Sequence, residues 1–293
     1  MMNHRFILES GACIGVCAPS ARFDRERFNR GLALLKEKGL HTRVPDQIFE
    51  KKRYLAGSDT HRARTVEQLF EDDRVDAVLC ARGGFGAMRI LPHIQWEVIR
   101  HHPKPFIGFS DATALLVSII EKTGLPVIHG PTLLSLTHSR SSTIDAFINI
   151  LSGPPAELVI DTAVSLIPGQ CTGILKGGNL ATLSHLVGTP FQPDFNGCLL
   201  FVEDIGEPAY KIDRMLSQMK LSGLFSGLKG VVAGEFVDCD NSDYIEEILT
   251  ETFEEINIPV LSGLTSGHGS SNLPLYMGMP VEMDTSARMI KWI

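Results

Sequence analysis

The sequence lacks several features that mark common classes of protein. Its 27 Lys and Arg residues are scattered among 34 Asp and Glu residues and leave a formal net charge of -7. Nucleic-acid-binding proteins usually present a basic face, so we expect no nucleic-acid partner. The six cysteines form no CxxC pair and match no zinc-site spacing. We therefore expect reduced thiols that pack as small apolar groups, and no bound metal.

Long apolar runs are also missing. The N-terminal run, residues 6–8, ends at Glu9, whereas the apolar core of a signal peptide has about 7–15 residues. A run near the middle of the chain, residues 115–120, falls far short of the roughly 20 residues that a membrane-spanning helix needs. We therefore expect a soluble cytoplasmic protein with no membrane partner.

Strand-like and helix-like segments alternate in the first half of the chain. Apolar runs typical of buried strands, and segments with apolar residues at helical spacing, follow one another in this order: residues 12–18, 24–38, 60–72, 75–81, 105–109 and 112–122. Such alternation predicts an α/β fold with a doubly wound parallel sheet. Ligands of such sheets bind at the carboxyl ends of the strands, which here lead into residues 19–20, 82–86 and 110–111.

The composition and the pattern of apolar residues change after the first half of the sequence. Residues 139–142 and 152–155 are polar or rich in Gly and Pro, as a connection between domains would be. Short strand-like runs interleaved with helical patterns follow. We predict an N-terminal α/β domain over residues 1–140, a linker over residues 141–170, and a smaller mixed α/β domain over residues 171–293.

The run PFIGFSDA, residues 105–112, leads from an apolar strand through Gly-x-Ser-x-Ala directly into a helix. In a nucleophile elbow the residues two before and two after the serine must be small, as Gly108 and Ala112 are. The serine then stands at a helix N-terminus, where free N–H groups can stabilise an oxyanion. The second glycine of the stricter motif is absent, so Ser110 or Asp111 as a simple helix cap stays an alternative.

The run RGGFG, residues 82–86, follows a predicted strand. It has neither GxGxxG spacing nor a GK[ST] ending, so it indicates neither a dinucleotide site nor a P-loop. Its glycines let the backbone approach a ligand and present N–H groups, as a second oxyanion donor would. A tight turn that needs positive φ angles would use the same residues.

An acid and a base can be sought in the second half. His268 stands between Gly267 and Gly269 in a loop and is the best candidate for a base among the ten histidines. Glu203 follows the apolar run 198–202, and a carboxylate in that position can orient a histidine, although an ordinary loop acid looks the same.

Five blocks of the sequence, in order and over nearly the whole chain, together resemble the LD-carboxypeptidase family of serine peptidases, which includes the microcin C immunity hydrolases. The blocks are RGGFG (82–86), GFSD (108–111), LKGGNL (175–180), VEDIGEPAYKIDRML (202–216) and GHGSSNLPLYMG (267–278). The resemblance assigns the nucleophile to Ser110, the triad acid to Glu203 and the triad base to His268. It assigns the oxyanion hole to the backbone N–H groups of Gly84 and Asp111. From this assignment we expect a direct hydrogen bond between Glu203 and His268, with an acid such as Glu235 as the alternative partner.

The activity implied by the resemblance is hydrolysis, through an acyl-enzyme, of the bond that joins a terminal D-alanine to the L-centre of a diamino acid in a cytoplasmic murein tetrapeptide. Such a reaction belongs to peptidoglycan recycling. The resemblance implies that the enzyme needs no metal or organic cofactor and that the molecule it binds is the small peptide substrate. Members of the family are often homodimers, so we expect a homodimer here. Phe85, where Tyr is frequent, and Lys176, where some members have an aromatic residue, depart from the family and leave the substrate-side wall of the pocket open.

Two other functions stay open. A microcin C type hydrolase would cleave an aminoacyl-nucleotide conjugate. Such members of the family tend to be longer and to have an aromatic residue, often Trp, on which the nucleobase can stack. Trp96 and Trp292 lie outside residues 111–203 and outside the catalytic loops, which disfavours this function. The second alternative is a non-catalytic small-ligand binding module in which RGGFG holds an anion, but intact Ser, Glu and His candidates argue against it.

Overall fold

The computed structural model describes residues 6–293, except for the side chain of Ser242, and forms two compact units. Of the described residues, the first unit contains residues 6–153 together with Leu273–Tyr276. The second contains Pro154–Asn272 and Met277–Ile293. Each unit is built around its own sheet.

The elements of the first unit follow the alternation of strand and helix that the sequence predicts. They are β1 (Cys13–Cys17), α1 (Arg25–Glu37), β2 (His41–Arg43), α2 (Asp59–Glu71), β3 (Ala77–Cys80), α3 (Ala87–Ile90), α4 (Trp96–His101), β4 (Phe106–Gly108), α5 (Thr113–Thr123), β5 (Val127–His129), α6 (Leu133–Leu136) and α7 (Ser141–Ile150). Short 3-10 turns span Asp46–Phe49, Leu91–His93 and Ser110–Ala112.

The first sheet has the order β5-β4-β3-β1-β2, with a strand from near the C-terminus, Leu275–Met277, beside β5. Strands β1 to β5 are parallel to one another, and β3, β4 and β5 are buried along their whole length. Parallel sheets covered on both faces consist of such continuous apolar runs. The predicted α/β class with a parallel N-terminal sheet is confirmed.

The second unit is built around an eight-stranded sheet. Its elements are β6 (Glu157–Val159), β7 (Val164–Ile167), β8 (Gln170–Asn179), α8 (Leu180–Leu186), β9 (Cys198–Ile205), α9 (Ala209–Leu221), β10 (Gly230–Val237), α10 (Ser242–Glu254), β11 (Val260–Ser262), β13 (Pro280–Asp284) and β14 (Met289–Trp292), while β12 is Leu275–Met277 of the first sheet. The sheet order is β6-β14-β13-β8-β9-β10-β11-β7. Strands β8 to β11 are parallel, and the outer pairs are antiparallel. The predicted mixed character of the second domain is thus confirmed.

The predicted linker, residues 141–170, contains regular structure. Helix α7 belongs to the first unit and buries Thr143, Phe147 and Ile150 along one face, while β6 and β7 belong to the second sheet. The polar residues at its start open a helix, as Ser and Arg residues at a helix N-terminus can, rather than marking an irregular connection. The chain passes between the units at Gly153 and Pro154.

The helices are short. Helices α1, α2, α9 and α10 have 13 residues each, whereas a bilayer requires roughly 20 apolar residues. Within residues 6–293, no helix has the length and apolar character needed to span a membrane.

A buried arginine on α2 connects two loops at the carboxyl ends of neighbouring strands. Arg62 is 1% exposed and donates hydrogen bonds to the carbonyls of Pro19 and Gly86, the latter at 2.9 Å. Its guanidinium also pairs with the Asp59 carboxylate at 2.5 Å. Pro19 follows β1 and Gly86 ends the glycine run after β3, so Arg62 holds both loops against α2.

We expect Arg62→Leu to lower the free energy of unfolding by about 3 kcal/mol, because two buried carbonyls lose their donor and Asp59 loses a partner. Arg30→Leu is the matched control, since Arg30 is an exposed residue of helix α1 whose ion pair with Glu26 lies at the surface. Its replacement should cost less than about 1 kcal/mol. Denaturant unfolding measures both. Equal losses in the two variants would show that Arg62 does not hold the loops.

Candidate active site

Ser110 lies in the sharp turn between β4 and α5. Its φ is +63°, a left-handed conformation that costs a non-glycine residue about 1–2 kcal/mol. A methyl group placed on Gly108 would lie 2.9 Å from Cβ of Ala112, and one placed on Gly83 would lie 2.9 Å from Cβ of Ser110. The turn therefore has the strain and the close approaches of a nucleophile elbow.

The capping interpretation of this turn is wrong. Neither the 3-10 turn that begins at Ser110 nor helix α5 has a side-chain cap hydrogen bond. The Asp111 side chain is buried and accepts a hydrogen bond from the N–H of Ala87, at 2.8 Å. Ala87 begins α3, directly after the glycine run, so Asp111 connects the elbow to that run.

The glycine run needs glycine both for its backbone shape and for its close packing. Gly84 has a φ of +111° and Gly86 a φ of +134°. A methyl group on Gly84 would lie 2.7 Å from Cβ of Ala21, and one on Gly83 would lie 3.0 Å from Oγ of Ser110. The run is thus a tight turn that passes directly beside the serine.

Glu203 and His268 form a hydrogen bond in the second unit, as the sequence analysis predicts. Oε2 of Glu203 lies 2.7 Å from Nδ1 of His268. Glu203 lies on β9 and is fully buried, while the His268 side chain is 15% exposed. Because a carboxylate oxygen accepts, Nδ1 carries the proton, which is the tautomer that a serine triad uses.

The Glu203 carboxylate is held in a fully buried position. Burial raises its pKa, and the hydrogen bond with His268 opposes that rise. The charge of the adjacent Asp204 raises the pKa of Glu203 further. The imidazole is therefore the partner that makes a charged Glu203 tolerable in this position.

The LKGGNL run provides the surroundings of these acids, a role that the sequence analysis missed. Asn179 ends β8 opposite Glu203 in the parallel pairing of β8 with β9. Its Nδ2 donates to Asp204 at 2.8 Å, and its Oδ1 caps helix α8 by accepting from the N–H of Thr182 at 3.0 Å. Asp204 also accepts from the N–H of Ala181 at 2.8 Å. An Asn between a strand and a helical pattern is the signal that could have revealed this cap.

The glycines beside His268 are required by close approach to two strands. Gly267 has a φ of +121°, and a methyl group there would lie 2.5 Å from Oε2 of Glu203. A methyl group on Gly269 would overlap the carboxylate of Glu235, on the neighbouring strand β10. The loop is therefore seated directly on the carboxylates of β9 and β10, with Glu203 as the acid bonded to Nδ1.

Among residues 6–293, no cluster of three or more His, Cys, Asp or Glu side chains is arranged to hold a metal ion. All six cysteines are free thiols, and Cys17, Cys80 and Cys198 are buried. Burial raises the pKa of Cys80 well above its usual range. The Cys80 thiol is therefore poorly suited to act as a nucleophile.

Family models match both halves of the chain. A model of the LD-carboxypeptidase N-terminal domain matches residues 14–130, and a model of the LD-carboxypeptidase C-terminal domain matches residues 172–283. A protein named probable murein peptide carboxypeptidase, from Bacillus subtilis strain 168, is 35% identical over 96% of this chain and 91% of its own length. The murein tetrapeptide carboxypeptidase of Pseudomonas aeruginosa is 30% identical, over 88% of this chain and 89% of its own length.

Relatives of a second kind also match. The microcin C7 self-immunity protein MccF of Escherichia coli is 28% identical over 91% of this chain and 88% of its own length. The crystal structure of an MccF-like protein from Bacillus anthracis strain Ames superposes with a TM-score of 0.89 and 26% identity, over 99% of this chain and 98% of that one.

The fold and these matches define a serine-type hydrolase of α/β architecture. The chain belongs to the LD-carboxypeptidase family, as its five sequence blocks indicate. Within residues 6–293, the structure joins Glu203 to His268 in the second unit and places Ser110, Asp111 and the glycine run together in the first.

We expect Gly267→Ala to break the hydrogen bond between Glu203 and His268, because the new methyl group would lie 2.5 Å from Oε2. The Nδ1 proton of His268 should give a far-downfield ¹H resonance in the wild-type protein, assigned by its absence from His268→Gln. Gly267→Ala should lose that resonance. Gly153→Ala is the matched control, since its φ of +110° is similar but its nearest neighbouring atom lies 3.8 Å away. A resonance that persists in Gly267→Ala would contradict the close approach.

The raised pKa of Glu203 predicts a pH-dependent effect of Glu203→Gln on stability. A carboxyl whose pKa is higher in the folded than in the unfolded state stabilises the fold below the unfolded pKa, and this contribution is lost as the pH rises through the folded pKa. Glutamine carries no charge at any pH. The free energy of unfolding of Glu203→Gln, relative to wild type, should therefore rise between about pH 5 and about pH 8.

Denaturant unfolding at the two pH values measures this difference. Glu247→Gln, at an exposed position on α10, controls for the removal of one negative charge. A relative stability of Glu203→Gln that falls as the pH rises would contradict the raised pKa.

Proposed function

We propose that the protein is an LD-carboxypeptidase that removes the terminal D-alanine from murein tetrapeptides in the cytoplasm, as a step of peptidoglycan recycling. The observation that carries this proposal is the 2.7 Å hydrogen bond between buried Glu203 and His268, in a chain whose relatives at 30% and 35% identity are named as murein peptide carboxypeptidases. A homodimer stays a prediction of the family resemblance.

In the proposed acylation step, Ser110 attacks the carbonyl carbon of the diamino acid. Nε2 of His268 accepts the proton from Oγ as the new C–O bond forms. Glu203 accepts the hydrogen bond from Nδ1 and stabilises the imidazolium. The backbone N–H groups of Gly84 and Asp111 donate to the oxyanion of the tetrahedral intermediate. The strain at Ser110 and the glycine run beside it support these roles.

The intermediate then collapses as the C–N bond breaks. The leaving amine of D-alanine takes the proton from Nε2 of His268, and the tripeptide remains as an ester on Ser110. Water attacks the ester, His268 accepts a proton from that water and returns it to Oγ, and the tripeptide acid leaves. Every proton and electron pair is accounted for by these side chains and water, so the proposed reaction uses no metal or organic cofactor.

A second candidate is the hydrolysis of an aminoacyl-nucleotide conjugate, as in microcin immunity. The rings of Tyr54 and Phe85, 5.8 Å apart, are each about half exposed, and Phe85 lies within the glycine run. Exposed aromatic faces can stack on a nucleobase, and this pair is the observation that favours the candidate. The sequence identity of the chain to the murein carboxypeptidases favours the first function over this one.

One experiment separates the two candidates. The protein is incubated with a murein tetrapeptide and, separately, with an aminoacyl-nucleotide conjugate, and the products are identified by mass. Release of D-alanine and tripeptide is expected. Cleavage of the conjugate without cleavage of the tetrapeptide would replace the first function by the second.

We expect Ser110→Ala to lower turnover of the tetrapeptide by about 10⁴- to 10⁶-fold, because the members of a triad act as a unit. Ser118→Ala is the matched control: it removes a buried hydroxyl from helix α5, where no hydrogen-bond partner holds it. The control should keep wild-type turnover, and both variants should unfold at the wild-type temperature. Near-normal activity of a folded Ser110→Ala variant would show that another group is the nucleophile.

A further inference from the structure

A carboxypeptidase must distinguish the last residue of a peptide from the residues within it. The following inference concerns how this protein does so, and it rests on the proposed function. The terminal carboxylate carbon of the substrate is three bonds away from the scissile carbonyl carbon. Standard bond lengths place the two atoms within about 4 Å of each other. A cation that binds this carboxylate must therefore lie beside the loop that binds the oxyanion.

Arg82 is the first residue of the glycine run and occupies such a position. A methyl group on Gly84 would lie 3.8 Å from Nη2 of Arg82. A methyl group on Gly83 would lie 3.0 Å from Oγ of Ser110. The guanidinium and the serine hydroxyl thus both lie close to the same pair of glycines, one of which is the proposed oxyanion donor.

Arg82 forms no ion pair within residues 6–293. Its half-buried side chain donates from Nη1 to the carbonyl of Arg22, at 3.2 Å. Arg62 and Arg89, by contrast, both pair with Asp59 at 2.5 Å. Arg62 and Arg89 therefore each have an acid partner, whereas no carboxylate of the described residues pairs with Arg82 beside the glycine run.

We propose that Arg82 binds the terminal carboxylate of the substrate and so restricts hydrolysis to the last residue of a peptide. A planar guanidinium offers donors in a fixed fork that matches the two oxygens of a carboxylate. The hydrogen bond to the Arg22 carbonyl uses Nη1 and orients the group, while Nη2 stays available on the side of Gly84. Arg82 is in this role a specificity-determining residue, which binds substrate without taking part in proton transfer.

The test measures kcat/KM for a murein tetrapeptide with a free terminal carboxylate and for the same peptide with a C-terminal amide. The wild-type enzyme should prefer the free acid by about 10- to 100-fold, the range expected for one hydrogen bond to a charged group. Arg82→Gln should lower kcat/KM for the acid by a similar factor and leave the value for the amide within about twofold. Arg82→Lys should keep part of the preference, because a lysine retains the charge but not the fork.

Arg140→Gln is the matched control, since Arg140 is an exposed arginine of the same unit whose side chain does not cap α7. It should leave both values unchanged. Thermal unfolding checks that the Arg82 variants are folded, and Arg82→Lys carries the test if Arg82→Gln is not.

Each outcome decides between the claims. A variant that loses activity on acid and amide equally would show that Arg82 is structural, and would overturn the inference. Equal hydrolysis of acid and amide by the wild-type enzyme would overturn it while leaving the proposed function intact. Hydrolysis of neither peptide by the wild-type enzyme would instead overturn the proposed function, and the inference with it.

Discussion

A carboxylate can remain charged inside a protein only where a partner compensates for the water that it has lost, and Glu203 meets this condition through His268. Much of the surrounding structure follows from that one hydrogen bond. Position 267 must be glycine because a side chain would displace the carboxylate. The next acid along β9, Asp204, is buried as well, and Asn179 and the start of α8 supply its donors. The second unit thus places two buried carboxylates at the end of one strand, and each accepts hydrogen bonds from neighbouring segments of the same unit.

In the first unit, the constraint at the ends of the parallel strands is the strained backbone of Ser110. A strained serine needs rigid surroundings, because the chain would otherwise relax out of the left-handed conformation. Asp111 ties the elbow to the start of α3, and Arg62 ties the end of the glycine run to the loop after β1. Loops after β1, β3 and β4 are therefore cross-linked by buried polar side chains as well as by the sheet beneath them.

The sequence predicted the parts of the fold whose patterns are strong. Buried parallel strands such as β3 and β4 are continuous apolar runs, and the helices that follow them keep their apolar residues at helical spacing. Strand β2 was not predicted, because all three of its residues, His41 to Arg43, are exposed and polar and form no apolar run. Strands β6 and β7 are short and largely unburied, so that only pairing with distant strands defines them.

In the candidate site, the local features could be predicted from the sequence, whereas the contacts between distant residues could not. The small residues around Ser110 follow from steric demand and are visible in the sequence. The pairing of Glu203 with His268 spans 65 residues, and local patterns left it open until the family resemblance chose it. His185 is exposed on α8 although apolar residues flank it, because it falls on the outer face of an otherwise buried helix. Contacts between distant segments, such as Asn179 with Asp204, have no local signature.

The path of the chain has a consequence for how the protein is made. Residues 273–276 return to the first unit, where Pro274 packs against Gly130 and strand β12 covers the edge of the sheet beside β5. Domains generally fold as they leave the ribosome, the N-terminal one first. Here the first sheet stays one strand short until almost the whole chain has been synthesised, and through that period β5 presents an open edge to any other nascent chain. The second unit is therefore largely translated before the first is finished.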